Sequence, residues 1–168
     1  MILLSMACVV GGGEQSFEVH DVDALAVVLG NGEVDVVTAP REGVALHWEG
    51  GGLSDDELLR TDVVDGELLI DAGCELCGGE LYLEIPEGMP LYVEVQAGEA
   101  RIDLHAPADL CAVTAAGEMI VTVPAGAYDL DLEVGAGALT VDQVVDDPGA
   151  DHSISATVAT GELSIWGK

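Results

Sequence analysis

The chain has 168 residues, 49% of them apolar but only 4% aromatic, and 22 Gly, so it can bury one real core, built from Val, Leu, Ile and Ala, residues that suit pleated surfaces. Thirty-two Asp and Glu stand against four Lys and Arg, a formal net charge of −28; this excludes nucleic acid as a partner, because no basic surface can displace its counterions, and disfavours bare anionic lipid headgroups. The acids are spread along the chain, as expected if they fill the solvent face of successive strands.

The opening stretch MILLSMACVVGGGEQ contains no apolar run long enough to span a bilayer. It resembles the end of a bacterial lipoprotein signal peptide: Leu4, Ser5 and Ala7 lead into Cys8, the position such signals lipidate, and Gly11 to Gly13 follow as a tether. An ordinary chain terminus is the alternative. The lipoprotein reading divides the chain into a signal-like segment and tether, residues 1–16, and one domain, residues 17–168.

From Ala24 onward one unit recurs: a short alternating run, a glycine, and a second alternating run. The glycines are Gly32, Gly66, Gly98, Gly117, Gly137 and Gly161, spaced by 34, 32, 19, 20 and 24 residues. Two and four residues after each stand apolar side chains, such as Val34 and Val36 or Leu163 and Ile165; three before stand Leu29, Val63, Val95, Thr114, Val134 and Val158. Both flanks have period 2, the mark of a strand with one buried face. Each glycine supplies a sharp corner, and the Glu after five of them (Glu33, Glu67, Glu99, Glu118 and Glu162) reads as a solvent-facing corner residue.

The two long spacings each leave room for an unmarked strand. VALHWEG, 44–50, fits the first with Val44, Leu46 and Trp48 on one face, and LYLEIPEG, 81–88, fits the second with Leu81, Leu83 and Ile85. Between them, Ser54 and Glu57 have capping-box spacing and predict one helical turn. CELC at 74–77 is a single CxxC pair without a second pair for zinc, so a local Cys74–Cys77 disulfide is the simplest reading, with a metal site helped by His105 or Cys111 the alternative. In LCAVTAAG, Cys111 and Val113 look more core-like than Ala112 and Thr114, which predicts a bulge or register shift and a buried Cys111. Tyr82 and Tyr92 point outward from neighbouring strands and could stack; Trp166 is placed to cover the C-terminal end. The turn DDPGADH, 146–152, gathers Asp146, Asp147 and Asp151 but matches no calcium-loop spacing.

A period near 20 with two short strands predicts an all-β, single-domain β-solenoid, β-helix-like, in which stacked coils build an aliphatic column. A β-sandwich is the alternative. The units VEVQAGEARIDL, AVTAAGEMIVTV, LEVGAGALTVDQV and ATVATGELSIWG, with LYLEIPEGMPLYVEV before them, resemble a bacterial family of putative adhesin domains, uncharacterised envelope β-solenoids, over residues 24–167. The resemblance implies an exported, often lipid-anchored, non-enzymatic protein of the cell envelope, adhesion-like or scaffolding, with an unknown protein or glycan partner. Membrane contact is expected only through a lipid anchor. No catalytic residue, cofactor or defined metal site is expected; a divalent-cation (calcium) module and a polysaccharide-acting β-helix enzyme are the alternatives.

Overall fold

A computed structural model describes residues 13–51, 59–72 and 78–168, and every regular element among them is a strand. The strands are β1 (Gly13–Val19), β2 (Ala24–Ala39), β3 (Val44–Gly51), β4 (Arg60–Val64), β5 (Glu67–Ala72), β6 (Gly78–Pro86), β7 (Leu91–Asp103), β8 (Leu110–Val123), β9 (Gly126–Asp142), β10 (Val144–Asp146) and β11 (Ser153–Gly167). Cys8, Cys74 and Cys77 lie outside the described residues, as do Ser54 and Glu57.

All eleven belong to one open sheet in the order β1-β3-β6-β2-β7-β8-β11-β9-β10, with β5 on β2 and β4 on β5. The pairings from β6 through β10 are parallel; β1, β3 and β4 join antiparallel. β2, β7, β8, β9 and β11 run 13 to 17 residues, far beyond the usual length of about five or six. Each is two straight segments joined by a glycine corner. The inward alternation shifts by one residue at the corner, so both segments send their aliphatics to the same side. In β7 these are Val93, Val95, Ala100 and Ile102, all buried, while Glu94 and Arg101 point out.

The corner glycines stand side by side. Gly79, Gly32, Gly98, Gly117, Gly161 and Gly137 form a column across six adjacent strands, and the last five have φ between 127° and 148°. Five of the six predicted glycines are members. Gly66 is not: it turns the β4–β5 hairpin with Asp65, φ 87° and 51°, the pair of positive φ values that a two-residue type I′ turn needs. Gly79 holds the expected place instead.

The predicted strands at 44–50 and 81–88 are β3 and β6, and Val44, Leu46, Trp48, Leu81, Leu83 and Ile85 are all in the core. The order of strands in the sheet does not follow chain order. β2 lies between β6 and β7, and β11 lies between β8 and β9, so Trp166 sits on an interior strand, 40% exposed, rather than over an end.

The expectation for Cys111 is corrected. Cys111 is exposed, whereas Ala112 and Thr114 are buried. β8 is paired in unbroken register on both sides, Cys111 between Tyr92 and Ser155 and Thr114 between Val95 and Val158. A slip by one residue would turn Met119 and Val121 out of the core, so the whole strand overrides the local pattern. Thr114 thus occupies a valine's place, and its buried hydroxyl has no hydrogen-bond partner. Thr114→Val is expected to raise stability by about 1 kcal/mol by removing an unpaired polar group, read as an increase in denaturant midpoint at constant slope.

Candidate functional site

Two surface features combine chemistry with a fixed backbone. The first follows from the glycine column. The residue after each corner points out, so Glu80, Glu33, Glu99, Glu118 and Glu162 stand on successive strands, beside a groove of about 540 Å³ lined by Gly32, Glu33, Gly79, Glu80, Gly98, Glu99 and Glu118. Like charges directly opposite destabilise a sheet. Arg101 answers this at one place: its guanidinium pairs with Glu33 and, at 2.8 Å, with Glu99. Asp35 lies between Arg101 and Tyr82 in the next row; burial pushes its carboxyl above the ordinary value, Glu33 adds to the rise, and Arg101 offsets part of it. Arg101→Gln is expected to destabilise the fold more in low salt than in 1 M salt, where the Debye length falls to about 3 Å; denaturation at the two ionic strengths reads the difference.

The second feature is the outer face of β1, β3 and β6. Antiparallel register sets Ser16, His47 and Tyr82 in one row and Glu18, Ala45 and Glu84 in the next. Ser16 Oγ and His47 Nδ1 are 2.8 Å apart. Arg41, from the β2–β3 turn, donates to Glu18 at 2.6 Å and to Glu84 at 2.7 Å, and the small Ala45 between those acids leaves room for the bridge. Ser16, Glu18, Ala45, His47, Tyr82 and Glu84 frame a shallow groove of about 370 Å³, with Arg41 bridging two of its acids. It offers a phenol, an imidazole, a hydroxyl and a clamped guanidinium within one patch. Sequence reading did not find it, since the bonds that Arg41 and Ser16 make in it span 23 to 43 residues and only strand register unites them.

The other singled-out residues do local work. Tyr82 and Tyr92 do not stack: Tyr82 lies beside Asp35 and Tyr92 beside Ala26, on opposite sides of the glycine column. Tyr92 donates to Glu94 at 2.8 Å, and that bond, with burial and the Glu94 charge, pushes its phenol up to about 12. Its folded value lies above the ordinary 10, so its contribution to stability is intact below pH ~10 and is lost as pH rises from about 10 to about 12. Tyr92→Phe is expected to flatten the alkaline fall in stability across that window.

In the acidic turn, Asp147 accepts the Gly149 N–H at 2.9 Å and Asp146 accepts the Leu130 N–H at 3.2 Å. His20, His105 and His152 lie beside Glu18, Asp103 and Asp109 respectively. Among the described residues, no group of three or more His, Cys, Asp or Glu is arranged to hold a metal ion.

No family model matches the chain, and no curated protein matches it. Among solved structures it is similar to a putative cell adhesion protein from Clostridium sporogenes ATCC 15579, at 15% identity, over 92% of this chain and 99% of that one, with a TM-score of 0.59. A putative adhesin from Bacteroides fragilis NCTC 9343 aligns over 90% of this chain and 95% of that one at 9% identity, with a TM-score of 0.31 too low to bear on the fold. The first likeness is one of fold, and it runs nearly from end to end of both proteins.

Proposed function

We propose that this chain is a non-enzymatic, exported β-solenoid of adhesin-like function, binding a protein or glycan at the cell envelope through the Ser16–His47–Tyr82 face. The observation that carries this reading is the end-to-end likeness in fold to a protein described as a putative cell adhesion protein. Both the glycine column and the short return from β7 to β8, Leu104 to Asp109, favour a solenoid over a sandwich, which needs no such column. A rigid face with mixed donors and an aromatic ring suits recognition. Attachment through a lipidated Cys8 and a Cys74–Cys77 disulfide belong to the same reading; mass spectrometry of membrane and soluble fractions tests both.

Purified chain is to be applied to a glycan array and to immobilised envelope proteins. Saturable binding, weakened at least about tenfold by Tyr82→Ala and by Arg41→Ala but not by Val64→Ser on β4, supports the assignment; no saturable binding to either class overturns it. The glutamate column gives calcium a diffuse attraction, so a divalent-cation module is the second reading, and it fails if calorimetry with millimolar calcium shows no heat.

A further inference from the structure

We propose that β9 is a dimerisation edge, seating a second copy of this chain whose own β9 pairs with it antiparallel about a two-fold axis. The reading is independent of the ligand face on β1, β3 and β6.

Among the described residues, β9 pairs β11 on its inner side, and on its outer side only β10, at Gly126 to Tyr128. The backbone from Leu132 to Asp142 therefore presents an open edge, a template for strand addition. The core is also unfinished there. Leu132, Val134, Leu139 and Val141 lie beside Ala156, Val158, Leu163 and Ile165 of β11. The β11 residues are 0% exposed, whereas Leu139 is 47% and Val141 39% exposed and Leu132 and Val134 are half-buried. One more layer of strand would complete the burial.

The spacing identifies that layer. Because the inward alternation shifts at the corner, the four inward residues of β9 are symmetric about the midpoint between Ala136 and Gly137. An antiparallel second β9 centred on that point sets Val134 against Leu139 and Leu132 against Val141, twice over, and brings its corner onto this corner. A self-complementary patch of this kind is what a two-fold interface requires. The charge pattern agrees. Of the five parallel long strands, only β9 lacks the glutamate after its corner, with Ala138 in that place. Natural sheets guard free edges with charge, and here the guard is absent where a second Gly135 would lie opposite. Asp131 would face Asp142 on the solvent side, and each chain carries −28, so the dimer is expected to tighten with salt.

Sedimentation of the full chain over a concentration series in low and high salt tests this, together with amide hydrogen exchange. The expected result is a monomer–dimer equilibrium that tightens with salt, and slower exchange from Leu132 to Asp142 as concentration rises. Leu139→Lys is expected to raise the dissociation constant at least roughly 30-fold. Ala138→Glu, at an exposed position that leaves folding intact, is expected to raise it about tenfold, and Val64→Lys to leave it unchanged. A chain that stays monomeric throughout in high salt, a dimer indifferent to Leu139→Lys and Ala138→Glu, or growth beyond dimers into open-ended assemblies would each overturn the proposal.

Discussion

Gly117→Ala is expected to destabilise the fold by more than about 3 kcal/mol, a large part of the total for a single domain. Gly117 has φ 139°, and a Cβ on it would stand 1.7 Å from the Gly98 carbonyl oxygen and 2.8 Å from its carbon. That obstacle is backbone held in register by strands on both sides, so no rotamer change relieves it. The same clash recurs along the column, 1.8 Å for Gly98 against Gly32 and 1.7 Å for Gly161 against Gly117. Gly126 is the control: a Cβ there meets nothing within 4 Å, and Gly126→Ala is expected to change stability by less than about 0.5 kcal/mol. Equilibrium unfolding of the two variants checks the contrast. Equal effects would mean that corner contacts do not set the bend.

Leu163→Ala is expected to cost about 2–5 kcal/mol, the range for emptying a leucine's place in a close-packed core. Its neighbour in register, Leu139, points the same way from the next strand. Yet Leu163 is 0% and Leu139 47% exposed, and Leu139→Ala is expected to cost about 1 kcal/mol or less, half the transfer value of a leucine. Chemically identical substitutions one strand apart thus separate the enclosed part of the aliphatic stack from its open end. The measurement is a pair of denaturation curves at a concentration low enough to keep the chain monomeric.

Much of this architecture was legible because it is periodic. Alternation about each glycine placed Val93, Val95, Ala100 and Ile102 inside and Glu99 outside, and the extra strands at Val44 and Leu81 followed from the doubled spacing. Errors arose where local chemistry was ambiguous. Gly66 and Gly79 are both glycines followed by Glu, and only the preceding Asp65 marks the former as a hairpin turn. Cys111 looks more apolar than Thr114, yet register with two neighbours decides which faces in. The order of strands was not legible at all, since Leu110 is as good a match for Ile154 as for Leu130. The Ser16–His47–Tyr82 face was missed for the same reason: contacts across strands depend on pairing, and pairing leaves no local trace.

The interleaved order bears on how the chain reaches its native state. β8 and β9 are consecutive in the chain, but the slot between them is filled by β11, and β2 is likewise enclosed by β6 and β7, both made after it. A repeat protein assembled layer by layer can add its units as they emerge and loses little when a terminal one is removed. Here neither the β8–β9 gap nor the flanks of β2 can be filled before later residues are made, so long-range pairings dominate and folding is expected to be slow. Deleting β11 would leave two facing open edges, on β8 and β9, rather than a shorter sheet, which makes Ser153 to Gly167 the keystone of the assembly.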